Sequence, residues 1–317
     1  MDVLSYVKEK ANLPSLMLGT GTVCAGTACA AMRGNLEWLA ASLCLLFAIF
    51  TQVGTNLAYH YYRAYRNYDK VLHPRYERKE DVMNELHHRV LREGAFSCFI
   101  IAAMIGLIIM ATSHNPIWVF VIGLVIAGLI YLMVAGKRPV FGTYRAMLFT
   151  WLLFGPVGVI GTGFVERQTA NVQTWIFFDH APALFLGPAM GFLACSVHLI
   201  FSYTIFRITP HAQGGIAYNL NPRGVQAMMF INGLLMLALV FIGVFAFNFL
   251  KPLFASVPAF MGFALNTFLV FRIRRAPIGE LNYLNYLCKL NFMFTGLVFL
   301  IFWLYVGFPN ESMVEFF

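Results

Sequence analysis

The sequence predicts an all-α polytopic membrane protein of nine transmembrane helices, built as a single domain over residues 1–317. Three observations predict it. First, 60% of the residues are hydrophobic and only 11% are charged. An average soluble domain carries about 25% charged residues, so this chain has too few charges to cover a water-facing surface. Second, the mean hydropathy is +0.71. Third, apolar runs of the length needed to cross a bilayer as a helix, about 17–25 residues, recur along the chain without strand-like alternation. Only helices and closed barrels satisfy their backbone in lipid, and barrel strands are short and alternating. A soluble globule, a disordered chain, a coiled coil and a disulfide scaffold are excluded.

The runs cover about 14–32, 36–60, 94–113, 115–135, 144–165, 180–206, 226–249, 252–271 and 287–308. The first follows a charged 13-residue segment and precedes eight more, so it reads as a span and not as a cleavable signal peptide. Its Gly19, Gly21 and Gly26, like Gly155, Gly158 and Gly161 of the fifth run, read as sites of close helix packing. The second run leads into a charged connection, about 62–93, with His73, His87 and His88. That connection reads as a cap over a cavity or a docking surface. Adjacent histidines on a helix point about 100° apart, so His87 and His88 with Glu85 make a poor zinc set. The sixth run carries His198, expected as a neutral ring bonded to a neighbouring helix. Five of the six cysteines lie in apolar stretches and Cys288 abuts one; with no CxxC spacing, all six read as packing residues.

Charge sets the orientation. The formal net charge is +8. If the runs alternate in direction, nineteen of the twenty-two Lys and Arg fall on the side of the N-terminus, Lys289 among them. Only Arg33, Arg167 and Lys251 fall on the other. This bias places the N-terminus in the cytoplasm and the C-terminus outside, and points to a protein of the bacterial inner membrane. The basic balance is accounted for by the bilayer, and no nucleic acid is implied.

Candidate chemistry sits where the second run leaves the membrane. The segment reads Gln52-Val53-Gly54-Thr55-Asn56-Leu57-Ala58-Tyr59-His60-Tyr61-Tyr62-Arg63 and continues to Asp69. Asn56, His60 and Arg63 are spaced by four and three residues and share one helix face. That face is either a helix leaving the membrane or a polar mouth built for an anion. The segment resembles the first signature of the UbiA superfamily of intramembrane prenyltransferases. It is most similar to the branch that prenylates 1,4-dihydroxy-2-naphthoate in menaquinone synthesis, whose signature reads Q-[IV]-G-T-N-L-x-N-D-Y-x-D. Phe154-Gly155-Pro156-Val157-Gly158-Val159-Ile160-Gly161-Thr162 is similar to a second motif of that branch, and Leu18-Gly19-Thr20 is a weaker third match. The resemblance covers essentially the whole chain. It implies a nine-helix bundle around a central cavity, a polyprenyl diphosphate donor, an aromatic acceptor and Mg²⁺.

The residues depart from the family where its metal is held. Tyr59, His60 and Arg63 stand where the family has Asn, Asp and Asp, and Asp69 is the motif acid that remains. A divalent ion near Arg63 meets repulsion of roughly 4 kcal/mol per unit charge at 4 Å and an effective dielectric of 20. The second acidic motif should fall near 205–209, yet no Asp or Glu occurs between Asp179 and Glu280. Three readings follow. Arg63, Lys137, Arg138 and Arg207 supply the positive charge for a diphosphate. Alternatively, Mg²⁺ moves to Asp69, Glu77, Glu80, Asp81 and Glu85 of the large connection. Or the chain is a non-catalytic relative that binds a prenyl lipid, a quinone or a membrane partner. Tyr144 matches a family tyrosine and reads as a cavity residue. No residue is assigned as catalytic.

Overall fold

The computed structural model describes residues 3–32, 36–65, 85–113, 115–135, 144–166, 181–208, 222–247, 252–273 and 275–307. Every regular element among them is helical. In chain order these are α1 (Val3–Ala11), a 3₁₀ turn (Leu13–Ser15), α2 (Leu16–Ala31), α3 (Trp38–Tyr65), α4 (Glu85–Thr112), α5 (Pro116–Val134) and α6 (Tyr144–Leu152). They continue with a π turn (Leu153–Val157), α7 (Gly158–Glu166), α8 (Ala181–Ile208), α9 (Pro222–Phe247), α10 (Pro252–Ile273) and α11 (Ile278–Gly307). Among the described residues, nine segments are long and apolar enough to cross a membrane, as the sequence predicts.

Two breaks interrupt these spans. The charged N-terminal segment is itself a helix, α1, and Asn12 ends it in the left-handed region at φ 48°. Asparagine tolerates that conformation, and Pro14 then starts the 3₁₀ turn that redirects the chain into α2. The fifth span breaks at Gly155-Pro156, where the proline lacks the N–H a helix needs. Gly158 N–H turns to the carbonyl of Gly155, and the carbonyl of Phe154 instead accepts the hydroxyl of Thr22 from α2, at 3.0 Å.

Helices pack where side chains are smallest. A methyl group at Gly21 would lie 2.8 Å from the ring of Phe292 on α11, and one at Gly296 would collide with the backbone of Gly21. A methyl at Gly26 would sit 2.5 Å from Thr162 Cβ on α7, and one at Gly155 2.7 Å from Gly191 Cα on α8. The sequence reading of these glycines as packing sites holds. Helix α2 therefore contacts α3, α7, α8 and α11 and lies inside the bundle, with α8 beside it. The remaining helices close around them, α3 against α4, α4 against α5, α8 against α9, α9 against α10 and α10 against α11. The outer faces of α4 and α5 carry exposed Phe96, Met104, Leu107, Ile117, Phe120 and Leu124, a surface suited to lipid tails.

Amide side chains tie the C-terminal helices together. Asn232 of α9 donates to Ser196 Oγ of α8 at 3.5 Å, and Gln226 of α9 to the carbonyl of Val270 of α10 at 2.7 Å. Asn266 of α10 reaches the carbonyl of Met229 at 2.8 Å, and Asn291 of α11 that of Gly262 at 3.2 Å. Each bond crosses a helix interface where water cannot compete.

Gly296→Ala should lower the thermal unfolding midpoint in detergent, at a cost of about 1–3 kcal/mol for overpacking. Gly128→Ala, where nothing lies within 4 Å of the added carbon, should leave the midpoint unchanged. Equal behaviour of the two variants would overturn the packing argument.

Candidate functional site

The polar face at the end of α3 lies where α1 docks. Tyr6 and Ala11 of α1 are buried with Leu57 and Ala58 of α3, Leu91 and Ala95 of α4, and Met133 and Val134 of α5. Tyr59, Tyr61 and Tyr62 pack around this cluster. The amide of Asn56 is spent on the joint itself: Nδ2 donates to the carbonyl of Ala11 at 2.7 Å and to Ser15 Oγ at 2.6 Å. Asn12 has just turned the backbone out of helical geometry, which frees the Ala11 carbonyl for a side-chain donor. The residue that resembles the family signature thus secures the junction between α1 and α2.

His60 is half-buried one turn further on, with its ring 5.3 Å from that of Tyr59 in an edge-on arrangement. Across the interface, Tyr61 meets His88 of α4 with ring centroids 5.8 Å apart. Arg63 lies on the last turns of α3, Arg207 on the last turn of α8, and Tyr144 opens α6; of these three, only the helix backbone is described. Lys137, Arg138 and Asp69 lie outside the described residues, as do Glu77, Glu80, Asp81 and most of the connection at about 62–93. Alternation of the nine spans puts the ends of the second, fourth and sixth at one end of the bundle. The helix ends that carry Arg63 and Arg207 therefore lie at the same end.

Metal chemistry can be tested on the donor set. Among the described residues no group of three His, Cys, Asp or Glu could hold a metal ion. Mg²⁺ requires hard oxygen ligands in near-octahedral geometry, and α8, α9 and α10 carry no carboxylate, since no acid occurs between Asp179 and Glu280. The described residues do not fit a magnesium site.

Two buried ionisable residues escaped the sequence reading. Lys289 is counted there among loop cations, because the ninth run is taken to begin at 287. The structure corrects this. The ninth span is Gly279–Leu304, and Lys289 lies well inside it, only 6% exposed. Polar Asn282, Asn285 and Asn291 interrupt the apolar run and disguise the start of the helix. Glu166 closes α7 fully buried. Its Oε1 accepts the Thr27 hydroxyl of α2 at 2.7 Å, and its Oε2 has no partner among the described residues. It stands one residue beyond the fifth apolar run, where the sequence shows no sign of burial. His198 is buried on α8, with Nε2 3.4 Å from Ser202 Oγ.

The bundle can now be set beside known proteins. No family model matches the chain, and no curated protein does. Solved structures do. A UbiA homologue from Aeropyrum pernix K1, in its apo form, superposes with a TM-score of 0.58 at 16% identity, over 86% of this chain and 94% of that one. A UbiA homologue from Archaeoglobus fulgidus bound to DMAPP and Mg²⁺ gives 0.57 at 14% identity, over 94% and 99%. The same archaeal homologue bound to GPP and Mg²⁺ gives 0.52 at 14%, over 90% and 99%. The chain has the UbiA fold. Within the UbiA fold, the Phe154–Thr162 motif forms the kinked joint that seats α2 and α8, and the Gln52–Arg63 motif receives α1.

Asn56→Ala should cost about 1–3 kcal/mol by stranding the two acceptors it now serves. It should also speed proteolytic cleavage between α1 and α2, read by limited proteolysis in detergent. Unchanged cleavage and unchanged thermal midpoint would mean that the amide does not hold the joint.

Proposed function

We propose that this protein is a membrane-embedded homologue of the UbiA prenyltransferases. It takes a polyprenyl diphosphate and an aromatic acceptor, most like the enzyme that prenylates 1,4-dihydroxy-2-naphthoate in menaquinone synthesis. The observation that carries this reading is the UbiA fold shared with a homologue solved bound to a prenyl diphosphate, supported by the Gln52–Arg63 and Phe154–Thr162 motifs. Its apolar perimeter suits a substrate delivered from lipid. Its N-terminus and the basic ends of its spans face the cytoplasm, where the charge bias of the loops puts them.

In the proposed reaction the allylic C–O bond ionises and diphosphate departs with the electron pair. An electron-rich ring carbon captures the allylic cation, and aromaticity returns by loss of the ring proton to solvent or, for the naphthoate, of its carboxylate as carbon dioxide. Most of the barrier lies in separating the diphosphate, so fixed positive charge near its oxygens accelerates the step. Arg63, Lys137, Arg138 and Arg207 are proposed for that role. Guanidinium forks match phosphate oxygens in bidentate fashion, and these four require no metal. His60 and Arg63 stand in place of the family's acidic pair and Asp69 is the motif acid that remains, with Tyr144 proposed to line the same mouth.

The second reading is a non-catalytic relative that binds a prenyl lipid, a quinone or a membrane partner. The departure of Tyr59, His60 and Arg63 from the family signature, together with the acid-free stretch from Asp179 to Glu280, favours it.

Diphosphate release by the purified protein in lipid separates the two. The substrates are a polyprenyl diphosphate and 1,4-dihydroxy-2-naphthoate, supplied with Mg²⁺ and then with EDTA. Cation-driven transfer is expected to survive EDTA and to fall at least tenfold in Arg63→Ala. Loss of turnover on chelation would move the chemistry to the acids of the 62–93 connection. Absent turnover with retained donor binding would establish the binding protein.

A further inference from the structure

Lys289 is a cation in the interior of a membrane bundle. It is 6% exposed, and among the described residues no carboxylate pairs with it and no hydrogen bond reaches it. An ionisable side chain inside a membrane bundle is costly to keep, so such groups are retained with a partner or a function. None of the described residues provides the partner.

Its placement narrows what could. Phe292, Met293 and Gly296 of α11 meet α2 at Gly21. Lys289 precedes them by three, four and seven residues and so shares their stripe. Asn285 stands one turn before Lys289 on that stripe. It is 8% exposed, and its Oδ1 is buried without a hydrogen-bond partner. The first and ninth spans run parallel by alternation. Counting back from Gly21, Lys289 reaches the level at which α2 begins. There α11 also packs on the Leu13–Ser15 turn, whose Ser15 receives the Asn56 amide. A lone cation and an unanswered amide therefore meet the α1–α2 joint at one level. This is the end of the bundle at which the helices carrying Arg63 and Arg207 finish.

We propose that Lys289 and Asn285 form an oxyanion subsite between α11 and α2, for the acidic head of an amphiphilic ligand. Lys289 neutralises the oxyanion, and Asn285 Oδ1 accepts a hydrogen bond donated by a hydroxyl of the same head. A hydroxy acid and a partly protonated diphosphate both present that pair of groups. The inference deepens the prenyltransferase reading and rests on it only for the ligand's identity.

The test uses the full-length protein in nanodiscs, with Lys289→Met and Lys289→Arg beside the wild type. Three probes are titrated by intrinsic fluorescence: geranyl diphosphate, 1,4-dihydroxy-2-naphthoate, and dodecyl phosphate as an oxyanion amphiphile without prenyl or aromatic chemistry. Thermal midpoints are recorded with and without each probe. Lys289→Met is expected to fold with a midpoint no lower than wild type. It should lose at least tenfold in affinity for one or more probes, with the matching loss of ligand-induced stabilisation; Lys289→Arg should stay within threefold. The probe affected identifies the head group. Lys289-dependent binding of dodecyl phosphate alone would sustain the subsite while removing the prenyl and aromatic reading. Wild-type affinity of Lys289→Met for every probe, absence of binding by the wild type, or failure of both variants to fold would overturn the proposal. In the last case the cation would be a structural requirement.

Discussion

The approach of α2 to α11 at Gly21 and Gly296 sets the interior of this protein. In lipid there is no hydrophobic force to gather apolar helices, and association rests on close packing and on bonds between helices. Glycine at both positions brings the two backbones within van der Waals reach, and any side chain there would force them apart. With α2 fixed against α11, Gly26 meets Thr162 on α7, Thr22 meets the carbonyl exposed at the fifth-span kink, and α8 follows because Gly187 and Gly191 seat the same kink. The order of helices around α2 is the geometric consequence of where the side chains vanish.

Polar groups then specify the register that glycines leave open. Asn232, Gln226, Asn266 and Asn291 each place an amide on a neighbouring helix, chiefly on a backbone carbonyl. A sliding helix would strand these donors in a medium that offers no replacement. Asn56 plays the same part at the other edge of the molecule, where it holds α1 to the start of α2. Lys289 and the free oxygen of Glu166 stand apart from this economy, being buried polar groups whose capacity the described residues do not fill.

Membrane spans are legible in a sequence because the bilayer imposes one length and one polarity on every crossing. The nine runs, their helical character and the packing role of the glycines were all visible as composition and spacing. Boundaries were less so where polar residues belong to the span. The helix that carries Asn285 and Lys289 begins some eight residues before its apolar run suggests, because those residues are sheltered inside the bundle and not by lipid. Similarly, α1 lacks the apolar length of a span. Its burial of Tyr6 and Ala11 depends on α3, α4 and α5, which lie far along the chain.

By itself, the sequence determined the class of solvent, the number of crossings and the presence of motifs resembling one family of prenyltransferases. These follow from local composition, which the bilayer reads directly. Only the tertiary structure decided what the polar residues face. It made the Asn56 amide a clasp on α1 and moved Lys289 from a loop into the bundle. It also showed Glu166 closed in behind Thr27. The reason is that burial of a polar group is set by neighbours distant in sequence, and no periodicity within one helix reports which neighbour arrives.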